Sequence, residues 1–397
     1  MEIPFSPPSM SRLEIDLVEE VLRSGWITTG PKVKNFESKL SYYCHTEKAL
    51  ALNSATAGLE LVLRLFEIGP GDEVITSPYT FAATANVILH CGATPVFADI
   101  RESDFQMDLK EMEKKITSRT KAIIPVDFGG LPSDYDAIMT LVKDKKSLFN
   151  PKGRYQESLG RILVLSDAAH SFGSMYHEKP VGSQADFTVF SFHAVKNLTT
   201  AEGGAVVFND LPGLSSDAIY RELKLWSLHG QSKNAFEKQE KGNWFYTIEV
   251  PGYKYNMTDI QAALGIAQLE RYPWILDQRK RVFEYYKRKL GEFSKLEIPQ
   301  EKDRTRQTNY HLFALKIEQA DERDGFIKRM GEKGIACNVH FIPLPIHPLY
   351  RKLGYRIEDY PAAFHAFERE ISLPIYPELT ENQLKYITKQ ISEIMSR

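Results

Sequence analysis

The chain has 397 residues, 43% hydrophobic and 26% charged, with a formal net charge of −2, so it can bury a large core in about two domains and offers no basic field for nucleic acid or an anionic membrane. It contains no run of about 18 apolar residues to span a bilayer and no basic or apolar leader at its start. Its three cysteines, Cys44, Cys91 and Cys337, are far apart and form no CxxC pair, which predicts a reducing, cytoplasmic setting without structural zinc.

From about residue 49 the pattern alternates short apolar runs with amphipathic ones. In chain order it predicts a helix over 56–66, a strand over 73–76, a helix over 81–90, a strand over 94–98, a helix over 109–116, a strand over 122–126 and a helix over 134–142. Residues 143–160 are polar with little periodicity and read as a surface loop insertion. Strands follow at 162–166, 188–191 and 205–208. Continuously apolar strands separated by helices predict an α/β fold with a mostly parallel central sheet between helices. Such sheets bind ligands beyond the carboxyl ends of their strands, where Ser77, Asp127 and Asp167 fall. The segment 231–247 reads as a mobile loop near a partner subunit. A helical pattern over 257–290, broken at Pro273, carries a basic run at 279–289 that reads as a solvated face, with diphosphate binding as the alternative. A strand at 309–317, a helix at 323–333, a strand at 335–341 and a helix at 381–395 capped by Thr380 complete the tail. The division expected is a large α/β domain over 1–255 and a smaller α+β domain over 256–397.

Three features suggest chemistry. Lys196 lies between the apolar run 187–190 and the pair Gly203 and Gly204. A partly desolvated lysine loses proton affinity and can form a Schiff base with an aldehyde; the plainer reading is a solvated surface charge. Asp167 ends the apolar run 161–166 and could pair with a pyridinium nitrogen, or merely cap a helix. The turn Asn53-Ser-Ala-Thr-Ala-Gly58 opens a leucine-spaced helix, so its free N–H groups could bind a phosphate, or Ser54 or Thr56 could simply cap it. Together, lysine, aspartate and an anion site suggest pyridoxal phosphate.

Over nearly its whole length the chain resembles the DegT/DnrJ/EryC1/StrS family of sugar aminotransferases, fold type I enzymes that use pyridoxal phosphate. The resemblance rests on Ser24-Gly-Trp-Ile-Thr-Thr-Gly-Pro31, Asn53-Ser-Ala-Thr-Ala-Gly58, Ser77-Pro-Tyr-Thr-Phe-Ala-Ala-Thr84, Ser166-Asp-Ala-Ala-His-Ser171, Ser191-Phe-His-Ala-Val-Lys-Asn197 and Gly252-Tyr-Lys-Tyr-Asn-Met257. It implies that Lys196 carries the cofactor, Asp167 pairs with its ring nitrogen, His170 bonds its ring oxygen and Phe81 stacks on its face. It also implies a phosphate held by backbone N–H groups at Ala55, Thr56 and Ala57 with the Ser191 hydroxyl. Without the resemblance, Phe81 reads as a core aromatic and His170 as a helix-start histidine.

Where the family reads Gly-x-Asn-x-Arg-Met, this chain has Lys254 for the Asn and Asn256 for the Arg. The family's Asn reaches the neighbouring subunit's phosphate, and a cation would serve that role, so a homodimer with Lys254 at the shared site is expected. The variant resembles the branch that aminates UDP-4-keto-pentose. Trp26, Ile27, Thr28, His340 and His347 are the expected sugar-side residues, and no metal is assigned. The implied reaction moves an amino group from an amino acid, L-glutamate by analogy, to a nucleotide-linked keto-sugar by way of pyridoxamine phosphate. The alternatives are a sugar dehydratase, in which relatives replace the lysine by histidine, a cofactor-binding regulatory protein, and an enzyme acting on free amino acids.

Overall fold

The structure is a computed structural model that describes residues 1–232 and 245–396. Its elements in chain order are α1 (Arg12–Ser24), α2 (Pro31–Tyr43), β1 (Lys48–Leu52), α3 (Ala55–Leu65), β2 (Glu73–Thr76), α4 (Ala82–His90), β3 (Thr94–Phe97), α5 (Leu109–Lys115), β4 (Thr120–Ile124), α6 (Tyr135–Asp144) and α7 (Gly153–Leu159). They continue with β5 (Leu163–Asp167), β6 (Met175–Tyr176), β7 (Lys179–Pro180), β8 (Phe187–Ser191), β9 (Gly204–Phe208), α8 (Ser216–Ser227), α9 (Asp259–Leu290), β10 (Leu296–Glu297), β11 (Arg306–Gln307) and β12 (Phe313–Ile317). The chain closes with α10 (Arg323–Glu332), α11 (Pro348–Lys352), α12 (Pro361–Arg369), β13 (Glu370–Leu373) and α13 (Glu381–Met395).

Seven strands form the central sheet in the order β1-β9-β8-β5-β4-β2-β3. The β3, β2, β4, β5 and β8 neighbours are parallel, while β9 runs antiparallel to both β8 and β1. Alternation along the strands feeds a core on each face. Leu50, Leu52, Val206 and Phe208 pack with α3 and α8, whereas Ala49, Ala51, Ala205 and Val207 pack with α2 and the first half of α9. This is the fold type I architecture expected.

A second core is built on the antiparallel sheet β10-β12-β13. Val282, Phe283, Tyr286 and Leu290 from the second half of α9 pack there with α10 and α13. The N-terminal Ile3 joins the same core by pairing with Ile335. Helix α9 therefore serves both cores, its residues up to Ile275 lying in the first and those from Val282 in the second.

Several expectations need correction. Pro273 does not break α9, which runs through it. The cost of an internal proline, about 3 kcal/mol, is offset by Tyr272 and Ile275, both fully buried beside it. Arg279 is not on a solvated face but is 2% exposed, its guanidinium donating to the carbonyls of His311 at 3.3 Å and Ile375 at 3.1 Å. Over 335–341 only single bridges form, Ile335 with Ile3 and Asn338 with Ser372, and the pairing stops at His340, whose N–H donates to Glu370 at 2.8 Å and whose carbonyl accepts from Tyr79 at 2.7 Å. The strand expected from 309 begins only at Phe313, since Tyr310 has φ +60°. Helix α13 has the expected bounds, with a capping box between Thr380 and Gln383. The mobility expected of 231–247 falls largely on 233–244, outside the described residues. No helix among the described residues is long and apolar enough to cross a membrane.

The segment 143–160 is not a plain surface loop. It contains α7, whose Tyr155, Gln156 and Leu159 are buried, with the Gln156 amide donating to the Phe66 carbonyl at 2.6 Å. Tyr155→Ala should therefore destabilise the protein by about 3 kcal/mol, while Leu148→Ala at an exposed position should change stability by less than about 0.5 kcal/mol. Urea unfolding midpoints check this, and equal, small effects would return the segment to a surface loop.

Candidate active site

The carboxyl ends of β5 and β8, the start of β9 and the N-terminus of α3 converge on one cavity of about 370 Å³. It is lined by Lys196, Asp167, His170, Ser191, Phe81, Ala55, Thr56 and His340 among others. The convergence depends on glycines. A Cβ at Gly58 would sit 2.8 Å from Val206 and 2.9 Å from Val189, so its absence lets α3 lie close on the sheet. A Cβ at Gly204 would sit 2.4 Å from the amide nitrogen of Ala55, so its absence lets β9 pass the first turn of α3.

Ser54 is the cap of α3, its Oγ accepting the Ala57 N–H at 3.1 Å. That corrects the expected anion contacts. Ala57 is buried with its N–H already used, leaving the amides of Ala55 and Thr56 at the positive end of the helix dipole. Ser191 ends β8 and lines the same cavity.

Asp167 ends β5 and is 6% exposed. Its carboxylate accepts from Thr84 Oγ1 at 2.7 Å and from the Ala169 N–H at 3.2 Å. Burial raises its pKa, opposed by those hydrogen bonds and by Lys196. Asp127, at the neighbouring strand end, differs: Ser133 N–H, Tyr135 hydroxyl and Ser171 hydroxyl all donate to it, which occupies it internally. Burial lowers the Lys196 pKa to about 8, against the raising effect of Asp167. His170 Nδ1 accepts the Gly129 N–H at 3.3 Å, so its ring proton sits on Nε2. Burial and nearby Lys196 hold it well below its ordinary pKa.

Phe81 caps α4 at 65% exposure and lines the cavity mouth, so it is no core aromatic. Other expected residues lie outside the cavity lining. Lys254 is exposed, in an extended segment between Tyr253 and Tyr255. Trp26, Ile27 and Thr28 lie in the loop between α1 and α2, where the Trp26 indole donates to the Thr29 carbonyl at 3.3 Å. His347 precedes α11.

The family model for DegT/DnrJ/EryC1/StrS aminotransferases matches residues 8–392. The chain belongs to that family. It is 39% identical over 402 residues to the spore coat polysaccharide biosynthesis protein SpsC of Bacillus subtilis (strain 168), covering 99% of this chain and 97% of that one. Among solved structures, Spr1654 of Streptococcus pneumoniae, assigned as a sugar aminotransferase, matches in its PMP form with TM-score 0.96 and 44% identity, covering 100% of this chain and 99% of that one. Helicobacter pylori PseC, an aminotransferase of pseudoaminic acid biosynthesis, matches with TM-score 0.87 and 30% identity, covering 100% of both chains.

The donor set fits pyridoxal phosphate. The cavity offers free amides at a helix N-terminus for a phosphate, a low-pKa amine for an aldehyde, a buried carboxylate for a ring nitrogen and an imidazole N–H for a ring oxygen. Sequence patterns missed several lining residues, including Phe5, Ser6, His311 and Phe341. They come from distant segments with no shared spacing. The structure ties one of them to the lysine's neighbour, Asn197 Oδ1 lying 2.9 Å from His311 Nδ1.

The amine of Lys196 must be neutral to attack an aldehyde. Pyridoxal phosphate capture by cofactor-free protein should therefore accelerate as pH rises through about 8. Asp167 raises the lysine's pKa, so in Asp167→Asn the midpoint should move lower. Stopped-flow visible absorbance measures both, and a midpoint at the ordinary lysine value of 10.5 would contradict the burial of Lys196.

Proposed function

We propose that the protein transfers an amino group from L-glutamate, by way of pyridoxal phosphate and its pyridoxamine form, to a nucleotide-linked keto-sugar. The preferred acceptor is a UDP-4-keto-sugar aminated at C4, and the product serves surface polysaccharide or lipopolysaccharide synthesis in the cytoplasm. The single observation that carries the reading is Lys196 in one cavity with Asp167 and the open amides of α3. Relatives named for spore coat polysaccharide and pseudoaminic acid biosynthesis support the sugar acceptor. The Gly252–Met257 variant supports the UDP-linked choice.

When bound, pyridoxal phosphate supplies an aldehyde and an electron-withdrawing ring that takes up charge from the carbon being deprotonated. Asp167 would keep the ring nitrogen protonated, a task suited to a buried carboxylate with few competing donors. His170 would offer Nε2–H to the ring oxygen, Phe81 would cover the ring face, and Ala55, Thr56 and Ser191 would hold the phosphate. Lys196, displaced by the donor, would serve as the base that moves the donor's α-proton. One amine thus covers both tasks, and no second base is required.

The working unit in this reading is a homodimer, with a large domain and a smaller C-terminal one in each subunit. Tyr253 and Tyr255 stack on each other at 4.8 Å with an 8° interplanar angle, Tyr253 lying under Arg64 and the Tyr255 hydroxyl donating to Glu60. Alternation in an extended segment then turns Lys254 away from its own α3, towards a neighbour's phosphate.

L-glutamate should bleach the visible band of the pyridoxal phosphate form and release 2-oxoglutarate, and a UDP-4-keto-sugar should restore the band. A band unmoved by glutamate would remove glutamate as donor. Lys254→Ala should weaken cofactor retention about tenfold, the loss of one charge-assisted contact, as measured by equilibrium dialysis. Unchanged retention would sink the cross-subunit role.

A further inference from the structure

Beneath the cavity lies a buried polar chain that the proposed chemistry leaves unused. Glu370 opens β13 and is fully buried. Its Oε2 accepts the backbone N–H of His340 at 2.8 Å, and its Oε1 lies 2.5 Å from Ser372 Oγ. The same Oγ lies 2.9 Å from Nδ1 of His340. The His340 ring lines the cavity and stacks on Phe5 at 5.6 Å. With Nδ1 taken, Nε2 is the nitrogen left for a ligand.

The hydroxyl of Ser372 has one proton to give. Oε2 faces a donor, the His340 N–H, whereas Oε1 faces a hydroxyl that can accept, so the proton of a neutral Glu370 is placed on Oε1. In that state Oε1–H donates to Ser372, Ser372 donates to Nδ1, and His340 carries its proton on Nε2. Without that proton Ser372 donates to Oε1, Nδ1 must carry the imidazole proton, and Nε2 presents a lone pair. The other two cavity histidines have no such freedom. His170 Nδ1 faces a backbone N–H. His311 Nδ1 faces Asn197 Oδ1, whose amide nitrogen is committed to the Asn309 carbonyl at 2.8 Å.

We propose that Glu370 and Ser372 are positioning residues that set the tautomer of His340, making it a donor to the sugar's keto oxygen while Glu370 is protonated and an acceptor once it is not. This rests on the sugar aminotransferase reading. Burial holds the Glu370 carboxyl up to about 8, against Ser372, the His340 N–H and Arg323 of α10. Desolvation and Lys196 bring His340 down to about 4. Between those values the ring is neutral and Glu370 keeps its proton, so the donor form faces the cavity at neutral pH. The other groups around the chain are the Tyr79 hydroxyl and the Cys337 thiol, both raised by burial and therefore neutral there, with His170 and His311 held neutral as well.

The test is 15N NMR of histidine-labelled protein, with and without pyridoxal phosphate, the His340 signals being assigned by their loss in His340→Gln. The expected result is an Nε2–H form that gives way to an Nδ1–H form with a midpoint of about 8. Ser372→Ala should abolish the change and Ser372→Thr should keep it. A single tautomer throughout, or the same change in Ser372→Ala, overturns the proposal. With a UDP-4-keto-sugar as probe, Ser372→Ala should slow the sugar half-reaction about 100-fold, and more than the glutamate half-reaction, with Ser372→Thr restoring it. Equal losses in both halves would reduce Ser372 to a structural part and overturn its role toward the sugar. A tautomer change that vanishes in Ser372→Ala, in a protein that aminates no keto-sugar, would uphold the relay and remove the functional reading instead.

Discussion

The amide nitrogen of Ala55 lies where a side chain at residue 204 would have to go, 2.4 Å from an added Cβ. The anion end of the site depends on that space staying empty. Any larger residue at position 204 would push back the first turn of α3, whose unpaired amides attract a phosphate together with the helix dipole. Gly58 performs the same service one turn later, against Val189 and Val206. Two missing side chains thus bring a helix dipole to the ends of β8 and β9, and the other functional groups are arranged around the place this creates.

Burial is the second constraint. Lys196, Asp167, His170, His311 and His340 share one partly enclosed volume, and desolvation moves each towards its neutral form. A lysine of lowered proton affinity is a nucleophile near neutral pH, and neutral imidazoles hydrogen-bond directionally without adding charge. The structure also separates two aspartates that look alike at strand ends. Asp127 is saturated by Ser133, Tyr135 and Ser171, whereas Asp167 receives a threonine hydroxyl and one amide and keeps acceptor capacity facing the cavity.

Much of the sheet was legible in the sequence, because strands buried on both faces are continuously apolar and the helices between them carry leucines at helical spacing. The strand at 73–76 and the helix at 381–395 have the bounds their patterns imply. Failures came where distant packing overrides local preference. Pro273 sits inside a helix because buried residues flank it, and the polar segment 143–160 hides a helix because Tyr155, Gln156 and Leu159 meet the core. Ala57 was expected to bind phosphate, but which of three adjacent amides Ser54 would occupy is a matter of cap geometry.

The sequence by itself determined the layered α/β fold, the lysine and aspartate at strand ends and the glycine-bearing turn, because each is a local pattern of apolarity, charge or missing side chain. Only the tertiary structure decided that Phe5, His311 and Phe341 join the expected His340 around Lys196, that Lys254 does not, and that Glu370 lies behind His340 through Ser372. Those residues around Lys196 come from more than a hundred positions away and Glu370 meets His340 from another element, and the protonation states that follow are set by the burial those segments create together, which no stretch of chain carries alone.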